Sequence, residues 1–515
     1  MRDATMNPFL AMKSESYWLA LPGKTSYPKL TSDLKVDVLV VGGGITGVTA
    51  ALLIRDTGKT VALVEKYSIG GAETGHTTAH LTYMTDTRLS DLASDFDEEH
   101  ALASWDAGAH AIDQIRKLVE RHQIDCEFKL VPGYLAEAAN TKDREEEQDK
   151  LRQEAELAAR HGFDVAYLDS IPPLGRAGIR FANQAKFHPI KYLRALAVQA
   201  ANTGVQIFEN SSVDSFEEEP ARAVIGDYSI TYDHVIIATH MPLQGNVGTL
   251  SALLLQTKLY AYSTYALEAT APFGSLPEII WSDTAEPFNY LRVDRNAEGD
   301  VIVYGGKDHK TGQEPDTEKC YNELTRDLMA LVPDAKVNHR WSGQVIETLD
   351  GLPFIGEAGD GQFLATGFSG NGLTFGTLAA MMASDYASGK KNPWTELFDP
   401  HRKALTSAWD YAKENASYPY YMARDWAKGT EAGDVNALPC HAGKIIRHHG
   451  KRVAAYRNED GEVTLLSPVC PHLGCIVHWN DAEQTWDCPC HGSRFSGDGK
   501  VMSGPAEKDL SEIEE

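Results

Sequence analysis

The chain has 515 residues, 43% of them apolar and 23% charged, and no long Pro/Gly/Ser-rich tract; this is the composition of a soluble globular protein with room for two or three domains. A formal net charge of −25 repels polyanions and excludes nucleic acid as a natural partner, while leaving room for a basic redox partner or a cationic substrate. Seven cysteines, four of them crowded between Cys470 and Cys490, do not make a secreted disulfide framework, and Met1–Lys13 lacks the charged-then-apolar pattern of an export signal, so the expectation is a cytoplasmic protein.

Residues 1–34 read as an irregular lead-in, with Trp18 and Tyr27 expected to pack onto the domain that begins at residue 35. Then V-D-V-L-V-V, a buried strand, runs into Gly42-Gly43-Gly44-Ile45-Thr46-Gly47, a helix-like V-T-A-A-L-L-I-R and a second strand, T-V-A-L-V-E. A hydropathy scan flags Val36–Ile54, but Asp37, four glycines and two threonines argue against a membrane span. Strand, G-x-G-x-x-G turn, helix, strand and a terminal acid form the dinucleotide-binding unit. Gly42 permits the tight turn, Gly44 lets a pyrophosphate approach the backbone, and Gly47 lets helix and strand pack closely. Ile45 and Thr46 open the helix whose N-terminal N–H groups and dipole favour phosphate. Glu65 is placed for ribose hydroxyls, with Lys66 beside it.

After Glu65 comes a polar, glycine-rich segment, K-Y-S-I-G-G-A-E-T-G-H-T-T-A-H-L-T, instead of a second crossover. Here the chain resembles the D-amino-acid-oxidase-like flavoproteins, over roughly residues 36–390 and five separated motifs. The resemblance implies FAD, with Gly75, Thr77, Thr78 and Ala79 passing the flavin ring; His76 and His80 are polar loop histidines open to either a structural or a catalytic reading. It also implies a backbone contact from Val213, a second approach at Ala238 and Thr239, and a G-F-S-G-x-G turn at Gly367, Phe368, Ser369, Gly370, Asn371 and Gly372 near the flavin's pyrimidine end. The fold implied is an α/β, Rossmann-like FAD domain (residues 35–242 and 341–392) interleaved with an antiparallel β-sheet substrate domain (243–340), whose strands alternate in L-Y-A-Y-S-T-Y-A-L, N-Y-L-R-V and V-I-V-Y-G-G. Some relatives attach FAD through a cysteine before the T-x-D-G-type segment; none lies between Cys320 and Cys440, so non-covalent FAD is expected. No second glycine motif suggests an NAD(P) domain. A substrate carboxylate would want an arginine, and Arg292 and Arg340 are the candidates.

Residues 393–428 read as a helical linker, a helix through R-K-A-L-T-S-A-W-D-Y-A-K followed by an aromatic Y-P-Y-Y-M-A-R-D-W loop. From 429 to 515 short strands separated by H-H-G-K and N-E-D-G turns suggest a small all-β domain. It carries C-P-H-L-G-C from Cys470 and C-P-C-H-G-S from Cys488. Cys470 with His472, and Cys488 with His491, are two short Cys/His pairs. One sulfur and one nitrogen from each would suit a [2Fe–2S] centre with two cysteines on one iron and two histidines on the other; structural zinc and unliganded core cysteines are the alternatives. These strings resemble the Rieske proteins of respiratory and photosynthetic cytochrome complexes. By that resemblance Cys475–Cys490 is a loop disulfide and Ser493 donates to a bridging sulfide. Phe495 stands where those complexes usually carry a tyrosine, which implies a lower potential. The acidic tail, K-D-L-S-E-I-E-E, is expected to fray.

A two-electron flavin beside a one-electron cluster suggests an FAD-dependent dehydrogenase. By resemblance it oxidises a C–N bond of an amine or amino acid and passes electrons through the cluster to an external redox partner. The alternatives are a reductase running the other way from an external donor, and a redox carrier or sensor without catalysis. Catalytic residues are not legible at this level.

Overall fold

The structure, a computed structural model, describes residues 15–241, 257–402, 414–430 and 433–513. Val38–Val41 is completely buried, as a strand covered on both faces must be. It pairs in parallel with Val61–Val64 on one side and His234–Ile237 on the other. Gln206–Phe208 extends the sheet beyond Val61–Val64. Gln362–Thr366, parallel, and Phe354–Gly359, antiparallel, extend it the other way to six strands. Helices Ile45–Asp56 and Gly372–Ala387 pack together on one face. The opposite face, with Leu39, Val41, Ala62 and Val64, packs on a small sheet that includes Ala223, Ile225 and Ile230.

The second large sheet has nine strands. Lys336–Thr348, Leu259–Ala271, Asp300–Lys310, Tyr290–Arg295 and Ile280–Asp283 are antiparallel neighbours in that order. The sheet then continues in parallel onto Lys129–Ala136, from much earlier in the chain, and on to Arg176–Lys186. The substrate-domain strands are antiparallel as expected, and the sheet as a whole is mixed because Lys129–Ala136, from before the substrate segment, joins its edge in parallel. Residues 98–186 carry no motif, yet they supply helices Glu98–His122 and Arg144–Arg160 as well as these strands.

The C-terminal body is all β: Gly443–His448, Lys451–Arg457 and Val463–Leu466 form one antiparallel sheet, and His478–Asn480, Thr485–Asp487, Arg494–Ser496 and Val501–Ser503 a second. Its core packs Cys470, Cys475, Val477, Trp486, Cys488 and Phe495 together. Most of the R-K-A-L-T-S-A-W-D-Y-A-K segment lies outside the described residues. The aromatic stretch after it, expected as a loop, is a helix, Ser417–Ala427; Tyr418 and Met422 pack on the C-terminal core while Tyr420 and Trp426 stay exposed. The tail does not fray as far as Ile513. Leu510 is buried, Asp509 accepts from the Val501 N–H and pairs with Lys500, and Glu512 bridges to Leu466. Trp18 is buried and donates to the Thr77 carbonyl at 2.6 Å, so the lead-in packs as expected. No helix among the described residues is long and apolar enough to cross a membrane.

Candidate active site

A cavity of about 1240 Å³ runs between the two large sheets. One end is built by residues 41–46, 64–67, 211–216 and 238–241, and 368–373 turn in beside it. Gly42 sits at φ +109°, where a side chain would collide with the Ala238 carbonyl; one at Gly47 would collide with the Gly42 carbonyl. Both must be glycine for the turn to pass this close to two strands. Gly44 starts helix Ile45–Asp56 with no side-chain cap, so part of the helix's first turn of N–H groups is left for an anion. Glu65 accepts from the Gly43 N–H at 2.6 Å and the Tyr67 N–H at 2.8 Å; burial raises its pKa despite those bonds. Val213, Ala238, Thr239, Thr77, Thr78 and the 368–372 turn all line the cavity, whereas Gly47, Gly75, Ala79 and Gly367 do not. Ala79 is buried at φ 58° with its carbonyl turned to Arg292.

Thr264, Tyr290, Asp308 and Glu347 line the same cavity from neighbouring strands, and Asp86 lines it beside the 369–372 turn. The Gly370 N–H donates to Asp86 at 2.5 Å, and Tyr290 and Thr264 share a hydroxyl hydrogen bond. Burial, reinforced by the neighbouring carboxylates, pushes Asp308 up to about 7 and Glu347 up to about 8. His80 lines the cavity between the Leu291 carbonyl and Thr78; burial drops its pKa to about 4, so the ring is neutral. His76 instead bonds back to the Ala72 carbonyl.

Neither arginine expected for a substrate carboxylate is available. Arg292 is fully buried, donating to the Ala79 and Phe187 carbonyls at 2.8 and 2.7 Å and forking onto Asp294. Arg340 is bidentate on Glu318 at 2.8 and 2.9 Å and stacks over Tyr321. Arg292 is consumed in tying its strand to the backbone at Ala79 and Phe187, and Arg340 in tying its strand to helix Thr317–Leu331.

In the C-terminal domain the two Cys/His loops mirror each other: the Gly474 N–H returns to the Cys470 carbonyl at 3.0 Å and the Gly492 N–H to the Cys488 carbonyl at 2.9 Å. The Cys470 and Cys488 thiols contact each other, with Ser493 alongside, and the His472 and His491 rings stand 4.9 Å apart at right angles. Cys475 and Cys490 are disulfide-bonded. The Cys475, Cys488 and Cys490 sulfurs lie within 4.8 Å of one another, but the disulfide occupies two of them. Burial lowers the His472 and His491 pKa values to about 4 and about 3, keeping the rings neutral. His491 Nδ1 is buried without a hydrogen-bond partner, the condition of a nitrogen kept for a metal. Two adjoining thiols and two adjoining neutral imidazoles, one of each from either loop, fit a cluster of the kind the spacing indicates. Phe495 is buried here without a hydroxyl to offer.

The two sites are joined. Gln344, on the strand lining the cavity, takes the Glu73 carboxylate on its backbone N–H at 2.8 Å and donates its side chain to the Gly492 carbonyl at 2.6 Å. Gly492 is the residue after His491, and a side chain there would strike Ala261 of the second sheet. Gln313 donates to the Pro489 carbonyl at 2.9 Å, and His478 meets the Gly312 carbonyl at 2.7 Å. On the far side Tyr67 donates to the Val501 carbonyl at 2.5 Å, and residues 501–504 and 506–508 help wall the cavity. Tyr418 from helix Ser417–Ala427 covers His491 at 4.8 Å between ring centres. Gln344, Asp86, Asp308 and the 501–508 segment had no motif to announce them. Glu347 had a weak one: the alternation in W-S-G-Q-V-I-E puts Gly343, Val345 and Glu347 on one face.

Fold and site together define a flavin-dependent oxidoreductase with a second, iron–sulfur centre. Residues 37–386 match the FAD dependent oxidoreductase family and residues 430–514 the Rieske [2Fe-2S] domain, and the chain belongs to both families; its cofactors are FAD and a [2Fe–2S] cluster. It is 33% identical to the Rieske 2Fe-2S iron-sulfur protein YhfW of Bacillus subtilis over 97% of both chains. It is also 24% identical to gamma-glutamylputrescine oxidoreductase of Escherichia coli over 73% of this chain and 89% of that one. Glycine oxidase from Geobacillus kaustophilus shares the fold, with a TM-score of 0.60 and 20% identity over 72% of this chain and 99% of that structure.

Proposed function

We propose that this oxidoreductase acts on a C–N bond of an amine or amino acid and delivers the electrons, one at a time, through the Rieske centre of the same chain to an external acceptor. FAD supplies the hydride acceptor and the cluster a one-electron carrier. The substrate loses a hydride and a proton as C–N becomes C=N, water then releases the carbonyl product and the amine, and the two electrons leave singly for two equivalents of acceptor. Residues 42–46 and 368–372 hold FAD without a covalent bond, in keeping with a cavity lined by no cysteine among the described residues. Cys470, His472, Cys488 and His491 hold the cluster, and the protein works in the cytoplasm.

The observation that carries this reading is Gln344, which spans from the flavin cavity to the backbone next to His491. A loop anchored there supports transfer from the flavin site to the cluster site of the same chain. The test is anaerobic mixing with a panel of amines and amino acids, following flavin bleaching optically and cluster reduction by freeze-quench EPR. Bleaching followed by cluster reduction at a rate independent of protein concentration is expected. A flavin that bleaches while the cluster stays oxidised, or transfer that accelerates with concentration, overturns transfer within one chain. Reduction only from the cluster side, with no response to any amine, overturns the direction.

A further inference from the structure

We propose that Asp86, Asp308 and Glu347 form a cation-binding wall, and that the substrate is an amine carrying a second positive charge and no carboxylate, a diamine or polyamine. This rests on the C–N oxidation proposed above and narrows its substrate. The three carboxylates come from the loop before residue 88 and from two strands of the second sheet, and all line one cavity with the 368–372 turn. Asp86 accepts from Gly370 within that turn, which puts it at the flavin end; Asp308 and Glu347 lie in the sheet wall beside Thr264 and Tyr290. Among the described residues no lysine or arginine forms an ion pair with any of the three, although the chain makes such pairs freely elsewhere. Lys310, whose charge acts on Glu347, is bound to Glu414 at 2.7 Å. Asp308 Oδ1 is moreover buried with no hydrogen-bond partner, and an acceptor left in that state wants a donor from the ligand.

The cavity's own cations do not offset this. Arg88 is tied to Glu147 and Glu154 through Nη1 and Nε, with Nη2 buried and unpartnered, Lys150 pairs with Glu146, Lys66 adjoins Glu65, and Lys508 comes from the C-terminal segment that walls the cavity; none of them forms an ion pair with the three carboxylates. With Arg292 and Arg340 both committed, an amino acid's carboxylate set against Asp308 and Glu347 would meet like charge, whereas an ammonium would relieve it. The raised pKa values of Asp308 and Glu347 are what such a wall shows when no cation is bound.

The test uses the FAD-loaded protein and reads binding from the oxidised flavin's absorption, under argon, apart from turnover. The probes are 1,4-diaminobutane, butylamine, 4-aminobutyrate and a bis-quaternary tetramethylene dication that cannot be oxidised. The two dications are expected to bind at least about tenfold tighter than butylamine, as one added charged hydrogen bond or ion pair allows, with 4-aminobutyrate weakest. Asp308→Asn and Glu347→Gln should each erase most of that preference while leaving flavin content unchanged. Equal or tighter binding of 4-aminobutyrate or of α-amino acids overturns the proposal, as does no binding of either dication, or a dication preference intact in both variants. The two readings fail separately. Dications that bind without any diamine bleaching the flavin sink the oxidation and keep the wall; amino acids that bleach it while dications do not bind sink the wall and keep the oxidation.

Discussion

Asp308 makes the protein's stability depend on pH in a way that one substitution should remove. Burial and the nearby Asp86 carboxylate raise its pKa from 3.8 to about 7, against a lowering by Thr264. A carboxyl raised in this way contributes stability that is fully present below its unfolded value and lost as pH climbs through its folded value, because the folded state holds the proton more tightly. At ~1.4 kcal/mol for each tenfold difference in proton affinity, the loss between about pH 5 and pH 8 comes to ~3 kcal/mol, and the total at pH 8 to ~4 kcal/mol. Asp308→Asn cannot ionise, so it should unfold later than the parent at pH 8 and lose about one proton's worth of slope between pH 5 and pH 7. Glu347, raised to about 8 by burial, by Asp86 and by Asp308, keeps a slope of its own in both proteins from about pH 5 to pH 8. Urea unfolding of the FAD-loaded protein across that range, followed by flavin release and circular dichroism together, measures both effects. Parallel curves for parent and variant would refute the buried-carboxyl argument.

His491→Ala should lower iron from about two per chain toward none and abolish the EPR signal of the reduced cluster while flavin content holds; an undiminished signal assigns the ligand elsewhere. Gly42→Ala forces a side chain into φ +109° and onto the Ala238 carbonyl. At ~1–3 kcal/mol for such strain it should weaken FAD retention about tenfold or more in equilibrium dialysis, with the Rieske signal intact. Arg292→Met should behave as a lesion of the fold. It leaves Asp294 with Lys186 alone and strands two buried carbonyls, so a loss of ~3–5 kcal/mol in stability is expected; a folded variant with only a raised KM for acidic substrates would restore Arg292 to the substrate site.

Sequence by itself determined both cofactors and the class of fold. Gly42, Gly44 and Gly47 are local requirements of one turn, and Cys470 with His472, like Cys488 with His491, sit in one short loop each. Chemistry confined to a few neighbouring residues survives in the linear order. Strand alternation likewise announced the sheet around Leu259–Ala271 and the small β domain. What tertiary structure alone decided is which of these parts face one another. Arg292 and Arg340 looked alike as free bases until the fold brought the Ala79 and Phe187 carbonyls to the one and Glu318 to the other. Gln344 is an ordinary strand residue except that Gly492 lies across from it. Asp86, Asp308 and Glu347 share one cavity only because residues far apart in the chain close around it. A strand's period tells which face a side chain takes, but the partner on that face is chosen by packing across the chain, and no local pattern encodes it.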